Sequence, residues 1–325
     1  MLHNRLIFGT IIIAGVLLLC ALDLYISRFG LMREIVWLPR GVVLIPFYLV
    51  CIYYLTGEVL RILAAAGLHP LKSTVYFGNL LIAASCWLAN VFQQYKLEIL
   101  GETISKHGWE WSSTASFFTL LAVAAGIIIC FYGEMQRYSH PGGVTVNLAG
   151  AVFAITYIGL LSCYMIQLRM AYGLAAILSL VVAAKMCDIG AYTVGHLIGR
   201  HKMTPVLSPK KTIEGALGGI LFCCAGTYVW FSVVLPVYAN IFLEVSPFSK
   251  TPWYGWIPFG IVVALAGMTG DLAGSLIKRD SQMKDSGDLL PGFGGILDVF
   301  DSLLMAAPVV YFFWACGIVC PGYHR

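Results

Sequence analysis

The ionisable residues between positions 270 and 301 are the strongest indication of chemistry in this sequence. The chain has 325 residues and is 59% hydrophobic, yet this stretch contains six of its sixteen acidic residues and three of its twenty basic ones. Such a concentration of charge in an apolar chain is either a solvated loop or a site. The spacing of the residues helps to decide between the two.

The spacing of Asp271, Ser275 and Lys278 predicts one polar face of a helix. Residues at positions i, i+4 and i+7 lie on the same side of an α-helix. Gly270 and Gly274 leave space beside that side. A carboxylate, a hydroxyl and an ammonium group are therefore expected close together at the end of an apolar segment.

A second pair of carboxylates stands where the next apolar segment begins. Asp298 and Asp301 are three residues apart, and we expect Asp298 to lie near the same surface as Asp271. Carboxylates combined with water or phosphate oxygens are the ligands that Mg²⁺ prefers. Three cations that could contact phosphate follow Asp271, namely Lys278, Arg279 and Lys284. A metal held by carboxylates beside basic phosphate contacts is typical of phosphoryl and nucleotidyl transfer.

Two upstream segments add candidate residues for this chemistry. Asp188 lies inside an apolar segment, where an ionisable residue is costly and by default indicates function. Ser208-Pro209 is typical of a helix N-cap followed by proline at the first helical position. Lys210 and Lys211 then place two cations beside free N–H groups, which suits a phosphate. A packing interface around Asp188, and a basic flank of a membrane helix for the lysines, are the alternatives.

The composition indicates that membrane helices carry these residues. Only 11% of the residues are charged and the mean hydropathy is +0.84, whereas a soluble domain is about 25% charged. We expect an all-α, polytopic integral membrane protein with about nine transmembrane helices. The expected spans are 6–25, 38–57, 75–95, 115–132, 144–166, 171–193, 213–238, 254–275 and 299–319. The net charge of +4 is too small to indicate nucleic-acid binding.

Two parts of the chain are expected to have different roles. Residues 1–170 would form N-terminal transmembrane helices, and residues 171–325 C-terminal ones that carry the catalytic site. A modest excess of Lys and Arg in alternate connectors places the N-terminus and the site on the cytoplasmic side. An ion-coupled transporter that uses Asp188 and Asp271 is an alternative. The clustering of acids with lysines at one surface, rather than at the midplane, argues against it.

The stretch from Ser275 to Asp301 resembles the signature of the phosphatidate cytidylyltransferase (CDP-diacylglycerol synthase) family. Ten positions stand in register with that signature: Ser275, Lys278, Arg279, Lys284, Asp285, Pro291, Gly294, Gly295, Asp298 and Asp301. The segments 188–192 and 208–215 also look like that family's. Two positions depart from the pattern, because Phe293 replaces a histidine and Val299 replaces an arginine.

The resemblance implies transfer of a cytidylyl group from CTP to phosphatidic acid in the inner or plasma membrane, giving CDP-diacylglycerol and pyrophosphate. It implies four catalytic residues, Asp271, Asp298, Lys278 and Ser275, with Asp271 and Asp298 holding Mg²⁺ or two cations. The implied substrate contacts are Asp188, Ser208, Lys210, Lys211, Arg279, Lys284, Asp285 and Asp301. The expected partners are CTP, phosphatidic acid and the lipid bilayer, without nucleic acid, and a homodimer is left open. The two departures leave a catalytically degenerate relative as an alternative.

Overall fold

Nine helices and one two-stranded hairpin are present in the described part of the computed structural model, which covers residues 14–26, 41–95, 111–139, 141–242, 252–289 and 294–320. The first five helices are α1 Ala14–Ile26, α2 Leu44–Ala65, α3 Lys72–Tyr95, α4 Trp111–Gln136 and α5 Val144–Tyr172. The remaining elements are α6 Leu174–Ile198, β1 Lys202–Thr204, β2 Ser208–Thr212, α7 Ile213–Val229 with its continuation Leu235–Phe242, α8 Trp253–Asp280 and α9 Leu297–Ala315.

Seven helices in the described part of the chain are long and apolar enough to cross a membrane. They are α2, α5, α6, α8, α9, residues Ser116–Gln136 of α4, and α7 with its continuation up to Tyr238. The prediction of an all-α polytopic membrane protein is confirmed, but the count of nine spans is not. The third expected span forms a 24-residue helix, α3, that is not among the seven. Residues 6–13 of the first expected span lie outside the described residues.

The chain divides into two compact units, and each unit combines two separate stretches of the sequence. The first unit comprises Met1–Ala171 together with Asp285–Leu297, and the second comprises Tyr172–Lys284 together with Asp298–Arg325. The expected functional division at residue 170 stays a prediction.

The first unit contains an ion pair in its interior. Asp23 of α1 and Arg169 of α5 are 1% and 2% exposed. The Arg169 Nε donates a hydrogen bond to Oδ2 of Asp23 at 2.8 Å, and Nη2 contacts the same oxygen. The charges satisfy each other, which a buried ion requires. The sequence interpretation had placed Arg169 in a connector, and the structure places it inside the helix packing.

Small residues bring the helices of the second unit close together. A Cβ atom added to Gly215 of α7 would lie 2.8 Å from the carbonyl oxygen of Ala191 and 3.2 Å from the Cα of Gly195, both in α6. A Cβ on Gly219 would lie 2.7 Å from the side chain of Met268 in α8. Close backbone approach of this kind is the usual role of glycine faces in membrane helices.

The hairpin between α6 and α7 corrects the prediction that Ser208 is a helix N-cap. Residues Ser208–Thr212 form strand β2, in which Ser208 pairs with Thr204 of β1. The helix begins four residues later than expected, and Thr212 is its N-cap, since Thr212 Oγ1 accepts a hydrogen bond from the N–H of Gly215 at 3.1 Å. Strand pairing satisfies the backbone groups before the helix starts, so the chain does not need Ser208 as a cap.

Candidate active site

Two lysine–aspartate ion pairs form the centre of the candidate site, and all four residues belong to the second unit. Lys211 on β2 places its Nζ 2.6 Å from Oδ2 of Asp271 in α8. Two turns further along α8, Lys278 forms an ion pair with Asp298 in the first turn of α9. Asp271 and Lys278 therefore lie on one side of α8, and each finds its partner on a different element.

The two pairs differ in their access to water. The side chains of Asp271 and Lys211 are 44% and 24% exposed, whereas those of Asp298 and Lys278 are 14% and 12% exposed. The Nζ atom of Lys211 is enclosed and makes no hydrogen bond of good geometry within the described part, so its attraction to Asp271 is mainly Coulombic. Each lysine offsets a carboxylate charge that apolar helices would otherwise leave uncompensated.

A third carboxylate, that of Asp301, is buried close to the ion pairs. Its side chain is 5% exposed, and its Oδ1 accepts a hydrogen bond from the N–H of Ser302 at 2.6 Å. Asp301 is close enough to Asp271, Lys278 and Asp298 to interact with each electrostatically. The start of α9 thus adds a buried acid to the group formed by the ion pairs.

Two glycines of α8 allow this approach of α9. A Cβ on Gly274 would lie 2.9 Å from Oδ2 of Asp301, and a Cβ on Gly270 would overlap the carbonyl oxygen of the same residue. Larger residues at these positions would push α9 away from α8. The glycines that the sequence placed beside the polar face therefore accommodate the aspartate of the neighbouring helix.

Helix α6 brings Asp188 into the same region. Cys187, the residue before it, interacts electrostatically with Asp188, Asp271 and Lys211. Asp188 itself forms an ion pair with Lys185 at 3.0 Å, and both side chains are about half exposed, at 50% and 44%. The aspartate is accessible, and it shares its counter-ion with no other carboxylate in the described residues.

The structure separates the two neighbouring lysines of the basic segment. Successive side chains of a strand point to opposite faces of the hairpin. The side chain of Lys211 lies on the face that contacts Asp271. Lys210 is exposed and forms no ion pair among the described residues. Ser208 is partly buried in the strand pairing. The sequence could not tell which of the lysines meets a carboxylate, and the strand register decides it.

The other predicted residues are not part of the ion-paired group. Ser275 is partly buried on α8, between Asp271 and Lys278 in the sequence. The Nη1 atom of Arg279 donates to the carbonyl oxygen of Met283 at 3.4 Å. Lys284 and Asp285 are exposed and have no ion-pair partner in the described part of the chain. Pro291 and Phe293 lie outside the described residues.

Glu58 is a buried acid that the sequence interpretation did not identify. The second span was expected to end at residue 57, which left Glu58 in a polar connector. In the structure α2 continues to Ala65, and Glu58 is buried within it at 6% exposure. An ionisable residue inside a long apolar helix is the signal that could have identified it.

The donor set of the site is compatible with Mg²⁺. The described residues contain no group of three or more His, Cys, Asp or Glu side chains that could hold a metal ion. Mg²⁺ is commonly bound by one or two carboxylates, with phosphate oxygens and water completing its shell. Asp271 and Asp298 provide such oxygens, on condition that their lysine partners move away.

Comparisons with known proteins identify a family and several relatives for this chain. The residue pattern of the cytidylyltransferase family matches residues 5–316. The phosphatidate cytidylyltransferase of Staphylococcus saprophyticus is 37% identical over 214 residues, which are 66% of this chain and 75% of the relative. That of Staphylococcus aureus strain COL is 32% identical over 207 residues, or 64% and 72% of the two chains. That of Staphylococcus epidermidis is 33% identical over 201 residues, or 62% and 70%.

The apolar helices and these matches together define a multi-pass membrane nucleotidyltransferase. The chain belongs to the cytidylyltransferase family, and the resemblance inferred from the signature between Ser275 and Asp301 is confirmed.

Proposed function

We propose that the protein transfers the cytidylyl group of CTP to phosphatidate, yielding CDP-diacylglycerol and pyrophosphate. The observation that carries this proposal is the gathering of two lysine–aspartate pairs and the buried Asp301 where α8 and α9 meet. The names of the relatives support the choice of substrates. The apolar helices provide a setting in which the acyl chains of phosphatidate can remain in lipid.

The proposed reaction makes one bond and breaks one. An oxygen of the phosphatidate phosphate attacks the α-phosphorus of CTP, and the bond from that phosphorus to the bridging oxygen of the β-phosphate breaks. The electron pair leaves with pyrophosphate. A phosphate monoester dianion is already a nucleophile, so no side chain must remove a proton. Positioning and charge stabilisation are therefore the main tasks of the site.

The two ion pairs would allow the lysines and the carboxylates to exchange binding partners when CTP binds. Lys211 and Lys278 offset the charges of Asp271 and Asp298. When the triphosphate binds, the lysines turn to its oxygens and release the carboxylates, since a lysine is a flexible point charge. Mg²⁺ bound to the two released carboxylates, alone or with a second cation, would stabilise charge on the phosphates.

The remaining predicted residues contribute substrate contacts in this proposal. Ser275 lies on α8 between the two ion-paired residues in sequence and orients a phosphate oxygen. The other candidates for contacts with CTP or phosphatidate are Asp188, Ser208, Lys210, Arg279, Lys284, Asp285 and Asp301.

We place this site at the cytoplasmic surface of the plasma membrane, where the basic connectors are expected to lie. An impermeant reagent that labels a cysteine introduced at Lys202 on the exposed hairpin should react in inverted vesicles and not in intact cells. Labelling in intact cells would reverse the orientation.

An assay with radiolabelled CTP tests the proposed reaction. Purified protein in detergent should form labelled CDP-diacylglycerol only when CTP, phosphatidate and Mg²⁺ are all present. Phosphatidylglycerol, which lacks a phosphate monoester, should not replace phosphatidate. Binding of CTP without turnover on any lipid phosphate would instead favour a degenerate relative. Solute flux that follows a pH or Na⁺ gradient without CTP would favour a transporter.

A further inference from the structure

Glu58 of α2 holds the segment that leads into α9, and all the residues involved belong to the first unit. Its Oε1 accepts a hydrogen bond from the N–H of Ile296 at 2.8 Å. Its Oε2 accepts one from the N–H of Leu297 at 2.8 Å and one from Oγ of Ser286 at 2.8 Å. One buried carboxylate thus receives three hydrogen bonds from a segment more than 220 residues away in the sequence, since the separations are 228 to 239 residues.

The position of these donors explains how the negative charge of Glu58 is accommodated. Ile296 and Leu297 stand at the N-terminal end of α9, where backbone N–H groups have no partner within the helix. A carboxylate is favoured there by the helix dipole and by charge-assisted hydrogen bonds. Glu58 therefore caps α9 from another helix.

Glycines shape the segment around the carboxylate. A Cβ on Gly287 would lie 2.7 Å from Oε1 of Glu58, and a Cβ on Gly295 would overlap both Oε2 of Glu58 and Oγ of Ser286. Gly294 has a φ of +91°, which L-residues rarely adopt. The two consecutive glycines of the signature turn are thus accounted for by the close approach to Glu58 and by the backbone conformation.

We propose that Glu58 is a positioning residue for the catalytic carboxylate Asp298. Glu58 fixes the amide group of Leu297, and Asp298 is the next residue in the chain. Holding that amide fixes the backbone from which the Asp298 side chain projects toward Lys278. This inference rests on the proposed function of Asp298 and adds to it a residue outside the C-terminal signature.

Hydrogen exchange tests the contact without any substrate. In Glu58→Gln one of the two acceptor oxygens is replaced by an amide group that cannot accept, so at least one of the N–H groups of Ile296 and Leu297 should exchange about tenfold faster or more. Glu134→Gln is the matched control, because Glu134 is a buried carboxylate of the same unit, 4% exposed and paired with Arg137. It should leave that exchange unchanged. Unaltered protection of Ile296 and Leu297 in Glu58→Gln would overturn the proposal.

Kinetics separate positioning from mere stability. Glu58→Gln should lower kcat per folded molecule by about 10–100-fold, as loss of a supporting hydrogen bond does in other sites, with KM for phosphatidate little changed. Ser286→Ala, which removes one of the three donors, should give a smaller loss of kcat and faster exchange of the same amides. It serves as the test if Glu58→Gln does not fold.

Two kinetic results have different meanings. A normal kcat per folded molecule in both variants would show that Glu58 only stabilises the fold, and would overturn the positioning role. An inactive wild-type protein would instead contradict the proposed function, while hydrogen exchange would still report on the contact with Glu58.

Discussion

The two units use acidic side chains within apolar helices in opposite ways. In the first unit Asp23 is 1% exposed and paired with Arg169, and Glu58 is bound by backbone amides and a serine. In the second unit Asp271 is 44% exposed and its partner is Lys211. A guanidinium and backbone amides are fixed donors, whereas the lysine ammonium is a mobile one. The first arrangement holds its acids in place, and the second allows its acids to change partners.

This difference teaches that an acid in a membrane helix is not by itself a catalytic residue. The cost of burying a charge is met in both units, by different partners. The rigidity of its partner distinguishes a structural acid from one available to a ligand, and Asp271 is in addition well exposed. Variants can test each half of the comparison.

The largest expected effect is a loss of folding stability caused by a substitution in the first unit. Asp23→Asn removes the buried negative charge that the guanidinium of Arg169 contacts and should cost about 3–5 kcal/mol. Thermal unfolding in detergent measures this loss. The double variant Asp23→Leu with Arg169→Leu should recover part of it, because apolar residues can replace a buried pair. If Asp23→Asn were as stable as wild type, the ion pair would not be holding the helices together.

A moderate effect on catalysis is expected from a lysine of the second unit. Lys211→Met should lower kcat/KM for CTP by about 10–100-fold, the value of a charged hydrogen bond, and should change thermal stability little. Lys210→Met is the matched control, since Lys210 is its neighbour on the opposite face of β2. Initial rates over a series of CTP concentrations provide the comparison. A larger loss in Lys210→Met than in Lys211→Met would contradict the assignment.

A smaller effect is expected from the packing of α8 against α9. Gly274→Ala would place a Cβ 2.9 Å from Oδ2 of Asp301, and such overpacking costs about 1–3 kcal/mol. Gly267→Ala is the control on the same helix, because the nearest atoms to its Cβ are 3.9 Å away in Ser302. It should be neutral or stabilising by about 0.5–1 kcal/mol. Equal unfolding temperatures for the two variants would contradict the close approach of Asp301.

Much of this arrangement could be read from the sequence because it is local. Hydropathy identified the membrane helices, and the i to i+7 spacing placed Asp271 and Lys278 on one side of α8. The signature from Ser275 to Asp301 identified the family. The roles assigned to the individual site residues stay predictions.

The rest depends on contacts between distant residues. The strand register of Lys211 selects it over Lys210, and a local Ser-Pro pattern wrongly indicated a helix start at Ser208. The partners of Glu58 are more than 220 residues away, at separations of 228 to 239, and no periodicity in α2 predicts them. Each of these contacts depends on how segments distant in the sequence pack together, and residue types along the chain do not show that packing.

The most direct test of the central claim compares Asp271→Asn and Asp298→Asn with Asp280→Asn, an exposed aspartate at the end of α8. Formation of CDP-diacylglycerol from radiolabelled CTP and phosphatidate would be measured at saturating Mg²⁺. We expect the first two variants to lose activity by roughly 10²–10³-fold or more, with normal folding, and Asp280→Asn to retain wild-type activity. Robust activity in both Asp271→Asn and Asp298→Asn would contradict the proposal that these carboxylates form the catalytic centre.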